Sequence, residues 1–136
     1  MKSRETLIRL KRFQVDEKRQ QIVDIESMIA DFERMASDLE QQVKSEQERA
    51  GISDVTHFAY PTFAKAALQR RDNLQASIDG LQGQLERARE DLAIAFEDMK
   101  KVELIEERET GRERDLVAAR EQAELDEVGL TIHRQG

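Results

Sequence analysis

Leu74, Ile78, Leu81, Leu85, Ala88, Leu92, Ala95, Met99 and Val102 follow one another at alternating steps of four and three. Nine hits at that spacing confine the segment to a helix with one apolar stripe. A mean step of 3.5 residues makes the stripe a left-handed coiled-coil seam. The first half of the chain carries a matching pattern. Ile8, Val15, Ile22, Ile29, Ala36, Val43 and Ala50 recur every seven residues, and Ile25, Phe32 and Leu39 fall three residues after members of that series.

Between the two seams lies AGISDVTHFAYPT. Gly51 followed by Ile52 reads as a helix stop with a left-handed residue and an apolar contact after it. Ser53 and Asp54 add turn chemistry, and Pro61 suits the start of a second helix. Two helices leaving a short loop run antiparallel. The expected fold is all-α, a long two-helix antiparallel coiled-coil hairpin forming a single domain over residues 1–136. Its parts are a helix of about 3–50, a loop at 51–61, and a helix of about 62–130 whose C-terminal segment overhangs. At 1.5 Å per residue the helices measure about 70 Å and about 100 Å, so residues beyond about 111 have no partner in the hairpin. ERETGRERD contains no apolar residue, and Thr110 with Glu113 spells a capping box around Gly111. The helix therefore restarts with a kink near 110–112 or runs on through one weak glycine.

Charge favours the same pairing. Residues 1–20 carry seven basic and three acidic side chains, residues 92–111 six acidic and three basic. Folding back at the loop sets the net +4 of the first against the net −3 of the second, whereas a parallel homodimer would set the basic segment against its own copy. Exposed pairs contribute only tenths of a kcal/mol each, so they select orientation more than they stabilise. The formal net charge of the whole chain is −7, which argues against general nucleic-acid binding, since that rests on neutralising phosphates.

Catalytic chemistry has little to work with. The chain lacks cysteine, a phosphate-binding glycine loop and an HExxH motif, and neither His57 nor His133 has neighbours at metal-ligand spacing. A two-helix hairpin offers no concave pocket in which carboxylates could be desolvated. No enzyme activity, cofactor or metal is expected. The longest apolar run, LAIAF, is too short to span a bilayer, and MKSRETLIRLKRF lacks the apolar core of a secretion signal; the expected location is the cytosol.

Three features point to binding. HFAYPTF gathers Phe58, Tyr60 and Phe63, three of the six aromatic residues, at the bend. They cap the hairpin end over Val43, Ala50 and Leu68, or cap it and also dock a partner. Near the amino terminus Leu7, Leu10 and Phe13 lie off the seam, with Arg4, Arg9, Lys11 and Arg12 around them. They meet Leu116, Val117 or Leu125 of the overhang, or they enter another protein, or they lie on a membrane surface. Gly80 and Gly83 fall on the outer side of the seam, where they give flexibility, admit a close partner, or are merely tolerated.

Taken together, MKSRETLIRLKRFQVDEKRQQI, HFAYPTFAKAALQRRDNL and the charged second helix resemble the FliJ proteins of bacterial flagellar type III export, especially the α-proteobacterial branch. The resemblance spans nearly the whole chain. It implies a cytoplasmic, non-enzymatic antiparallel coiled coil at the inner-membrane export apparatus, similar to a rotary-ATPase stalk. Such a protein inserts the end bearing both termini into the hexameric export ATPase, touches the cytoplasmic domain of the export gate, and escorts export chaperones. On that basis Leu7, Arg9, Leu10, Arg12 and Phe13 are the expected ATPase-ring contacts. Phe58, Tyr60, Phe63, Arg70 and Arg71 are the expected gate contacts. The stalk of a non-flagellar type III secretion system and a self-associating coiled-coil scaffold or chaperone stand as alternatives.

Overall fold

The computed structural model describes residues 3–135. Lys2, one of the seven basic side chains of the amino-terminal segment, lies outside them. Two helices account for the architecture, α1 over Ser3–Ala50 and α2 over Thr62–Gln135, joined by a loop. The chain is all-α, with its two long helices packed against each other, as the paired seams predict. It divides into two compact units, Val15–Ile94 and Met1–Gln14 with Ala95–Gly136.

The first, the hairpin unit, owes its core to the heptads. Leu39, Val43, Tyr60, Ala64 and Ala67 form one buried cluster, backed by Ile52, Leu68 and Leu74. Ile29, Ile78 and Leu81 form another, backed by Ile25, Phe32 and Leu85. Each cluster takes residues from both helices at seam positions, so one apolar stripe is buried against the other. Arg71 of α2 reaches Glu40 of α1 at 3.9 Å, and the pairing of Leu39 and Val43 with Tyr60, Ala64 and Ala67 but of Ile29 with Ile78 and Leu81 sets the antiparallel sense.

The loop ends α1 as the sequence predicts. Gly51 has φ of 72°, and its N–H donates to the carbonyl of Gln47 at 2.8 Å, the single bond of a left-handed cap. At the other side the carbonyl of Pro61 accepts the first helical hydrogen bond of α2 from the N–H of Lys65, at 3.1 Å. The missing proline donor is then one that a helix start does not need.

In the terminal unit, Ile8 and Met99 are the buried apolar residues, and the pairing beside them is ionic. Arg4 lies against Glu106, Glu109 and Glu113, and Arg12 against Glu103, so the strands of helix again run in opposite senses. α2 is one helical element through Gly111. The Thr110 hydroxyl turns back to donate to Glu106 Oε1 at 3.3 Å, one turn earlier, instead of capping a new start. From Arg112 to Gln135 every residue is exposed.

Gly80 and Gly83 sit in mid-helix with room to spare. A Cβ on Gly80 would meet nothing within 4 Å, and one on Gly83 only the flexible Arg87 Nη1 at 3.6 Å. No contact among the described residues requires either glycine. Gly80→Ala and Gly83→Ala are each expected to raise hairpin stability by about 0.5–1 kcal/mol in urea titrations. A loss of stability at either position would show that helix propensity does not govern this stretch.

Candidate partner-binding surfaces

The loop sorts its three rings. Tyr60 is buried, 8% exposed, against Leu39, Val43, Ala64 and Ala67. Its hydroxyl accepts a hydrogen bond from Gln47 Nε2 at 2.9 Å, so the polar end of the ring is satisfied by α1. Phe63, on the first turn of α2, is 55% exposed and borders a shallow groove with Asp38, Gln42 and Glu46. Phe58 is 96% exposed. Capping is therefore the work of Tyr60, while Phe58 and Phe63 stay exposed.

The position of Tyr60 was open to sequence reasoning. Continuing the α2 seam backwards from Leu74 in threes and fours gives Arg71, Ala67, Ala64 and Tyr60. Ala64 and Ala67 are wholly or almost wholly buried, and small side chains there let the helices close on the ring. Arg71 occupies the same stripe and is engaged by Glu40 and Asp72. Arg70 next to it is exposed and pairs with no carboxylate among the described residues.

Phe58 is held in place although it has little beneath it. The Asp54 carboxylate accepts from the Thr56 N–H at 2.9 Å and from the Thr56 hydroxyl at 2.7 Å. Those two bonds hold its pKa below the usual carboxylate value. The His57 N–H donates to the carbonyl of Asp54, and the His57 carbonyl accepts from the Tyr60 N–H. The imidazole stacks on the Phe58 ring with centroids 4.7 Å apart and planes 22° apart.

The terminal unit presents a second surface. Leu7, Leu10 and Phe13 are all exposed, and so are Leu116, Val117 and Leu125. Neither group buries the other. Arg9 is exposed without a carboxylate partner among the described residues, and Arg12 keeps Glu103 at 3.5 Å. Arg4 is the anchor of this unit. Its Nε lies 2.8 Å from Glu106 Oε2, its Nη2 3.0 Å from Glu113 Oε1 and its Nη1 3.6 Å from Glu109 Oε2. Glu106 Oε2 is shut off from solvent and balanced by this charge without a well-aligned hydrogen bond. The bond to Glu113, then the fields of all three carboxylates, raise the Arg4 pKa.

Among the described residues no three His, Cys, Asp or Glu side chains are placed to hold a metal ion, and no helix is long and apolar enough to cross a membrane. Two zipped helical units with exposed apolar and aromatic side chains define a coiled-coil protein. Comparison with protein families matches residues 2–136 to the family described as Flagellar FliJ protein. The chain belongs to the FliJ family, and with it to the components of the flagellar protein export apparatus. No match was found among curated proteins or among solved structures.

Proposed function

We propose that this chain is a non-enzymatic coupling component of flagellar protein export, acting at the cytoplasmic face of the inner membrane. The surface around Leu7, Arg9, Leu10, Arg12 and Phe13 seats in the hexameric export ATPase. The surface of Phe58, Phe63 and Arg70 meets the cytoplasmic domain of the export gate and the export chaperones. Tyr60 and Arg71 support that second surface from within the fold. The coupling role also accounts for a chain that holds so many apolar side chains outward for contact.

One observation carries most of this: Leu7, Leu10 and Phe13 stay exposed on a helix whose other side is zipped to α2 through Ile8 and Arg4. Apolar side chains held outward on an ordered helix are anchors that bind with little further ordering. The purified protein is expected to co-elute with the export ATPase, promote its hexamer and raise its turnover. Leu10→Ser with Phe13→Ser should weaken that binding about tenfold or more, since both carry anchor contacts. Phe58→Ala should leave ATPase turnover unchanged and weaken gate binding. No stimulation and no co-elution at micromolar concentration would sink the proposal.

A further inference from the structure

Three hydrogen bonds converge on His57, and one of them is made by its side chain. The backbone N–H donates to the carbonyl of Asp54 at 3.1 Å, and the backbone carbonyl accepts from the Tyr60 N–H at 3.0 Å. The third runs from the Ala59 N–H to His57 Nδ1, at 3.0 Å. An N–H can donate only to an unprotonated ring nitrogen, so this contact assigns Nδ1 as acceptor and places the imidazole proton on Nε2. The same imidazole backs the Phe58 ring, which is otherwise almost wholly in solvent.

We infer that His57 is a proton-sensitive latch: in its neutral form it fixes the loop that presents Phe58, and protonation at Nδ1 releases that loop. The imidazolium carries N–H groups on both ring nitrogens. Nδ1–H would then face the Ala59 N–H, donor against donor, and the ring must turn away. Phe58 loses its stacked support and gains rotamers, which any partner that uses it must freeze again on binding. The backbone bonds that His57 donates to Asp54 and accepts from Tyr60 do not depend on the proton, so the core of the hairpin is untouched.

Among the described residues the surroundings of the ring supply no counter-charge. His57 is exposed, and among the described residues no carboxylate lies within ion-pair range of it. The Asp54 carboxylate is turned to Thr56, and the Tyr60 hydroxyl to Gln47. On the adjoining end of α1, Arg49 is paired with Glu46. Protonation of His57 thus acts through the loop's own hydrogen bonding.

The latch itself is tested on the free chain by nitrogen and proton NMR in a series from about pH 8 to about pH 5. His57 is expected to show the Nε2–H tautomer at the alkaline end. The Ala59 amide resonance should move with the same midpoint as the His57 ring. In His57→Asn, whose carbonyl can accept the same i+2 N–H at any pH, the Ala59 resonance should stay flat. A predominant Nδ1–H tautomer, or an Ala59 amide indifferent to the imidazole titration, would overturn the inference.

The consequence for binding rests on the proposed contact role of the loop, and a second measurement separates the two. Affinity for the gate's cytoplasmic domain should fall about fivefold across the same titration, the equivalent of one ordinary hydrogen bond. His57→Asn should abolish that pH dependence. If Phe58→Ala leaves gate binding unchanged, the contact role fails while the NMR result decides the latch by itself.

Discussion

With Ile78 shortened to alanine, the hairpin unit is expected to lose about 2–5 kcal/mol of stability, read as a lower urea midpoint with an unchanged slope. Ile78 is the largest α2 side chain that is almost fully buried, 2% exposed, and it packs with Ile29 and Leu81 among Ile25, Phe32 and Leu85. Truncation removes three carbons at the middle of a two-helix interface. Only a facing helix stands across the gap, so no third layer can move in to fill it. The upper end of the range applies if α1 and α2 hold their spacing, the lower if they collapse together. A shift below about 0.5 kcal/mol, the range of ordinary surface substitutions, would mean that this seam is not the core.

Tyr60→Ala is expected to reach a similar size, about 3–5 kcal/mol, because a whole ring leaves the cluster of Leu39, Val43, Ala64 and Ala67. The two alanines cannot extend into the space, and Gln47 loses the partner of its amide. Tyr60→Phe separates the ring from its hydroxyl and should cost about 1 kcal/mol, the net worth of one hydrogen bond. Phe58→Ala should fall within about 0.5 kcal/mol, since that ring buries almost nothing in the free chain. The three variants, measured together, test the division of the aromatics into one that holds the fold and one that is displayed. Equal effects of Tyr60→Ala and Phe58→Ala would refute it.

Much of the fold is legible in the sequence, because a heptad stripe leaves a helix one face to bury. The turn was legible for a similarly local reason: Gly51 is where the backbone needs a positive φ, and Pro61 stands where an N–H is not required. The fate of each ring was harder to read. Phe58, Tyr60 and Phe63 look equivalent as a cluster, and what separates them is register. Tyr60 lies on the backward extension of the α2 stripe; Phe58 and Phe63 do not.

The Arg4 cluster was legible in the same way and is missed by a search for apolar residues alone. Stepping back from Ile25 by sevens gives Lys18, Lys11 and Arg4, and stepping on from Val102 gives Glu106, Glu109 and Glu113. The stripe continues in both helices with its chemistry changed from hydrocarbon to charge. What no periodicity discloses is the geometry by which one guanidinium serves three carboxylates, or the single imidazole bond that steadies Phe58. Those depend on side-chain rotamers.

That change of chemistry along the stripe makes the two units sensitive to different properties of an electrolyte. Sodium chloride at molar strength shrinks the Debye length to about 3 Å and weakens the hold of Arg4 on its glutamates. Sulfate, excluded from apolar surface, strengthens the burial on which Ile29, Ile78 and Leu81 depend. A cell's ionic composition therefore tunes residues 3–14 and their α2 partners separately from the apolar zipper.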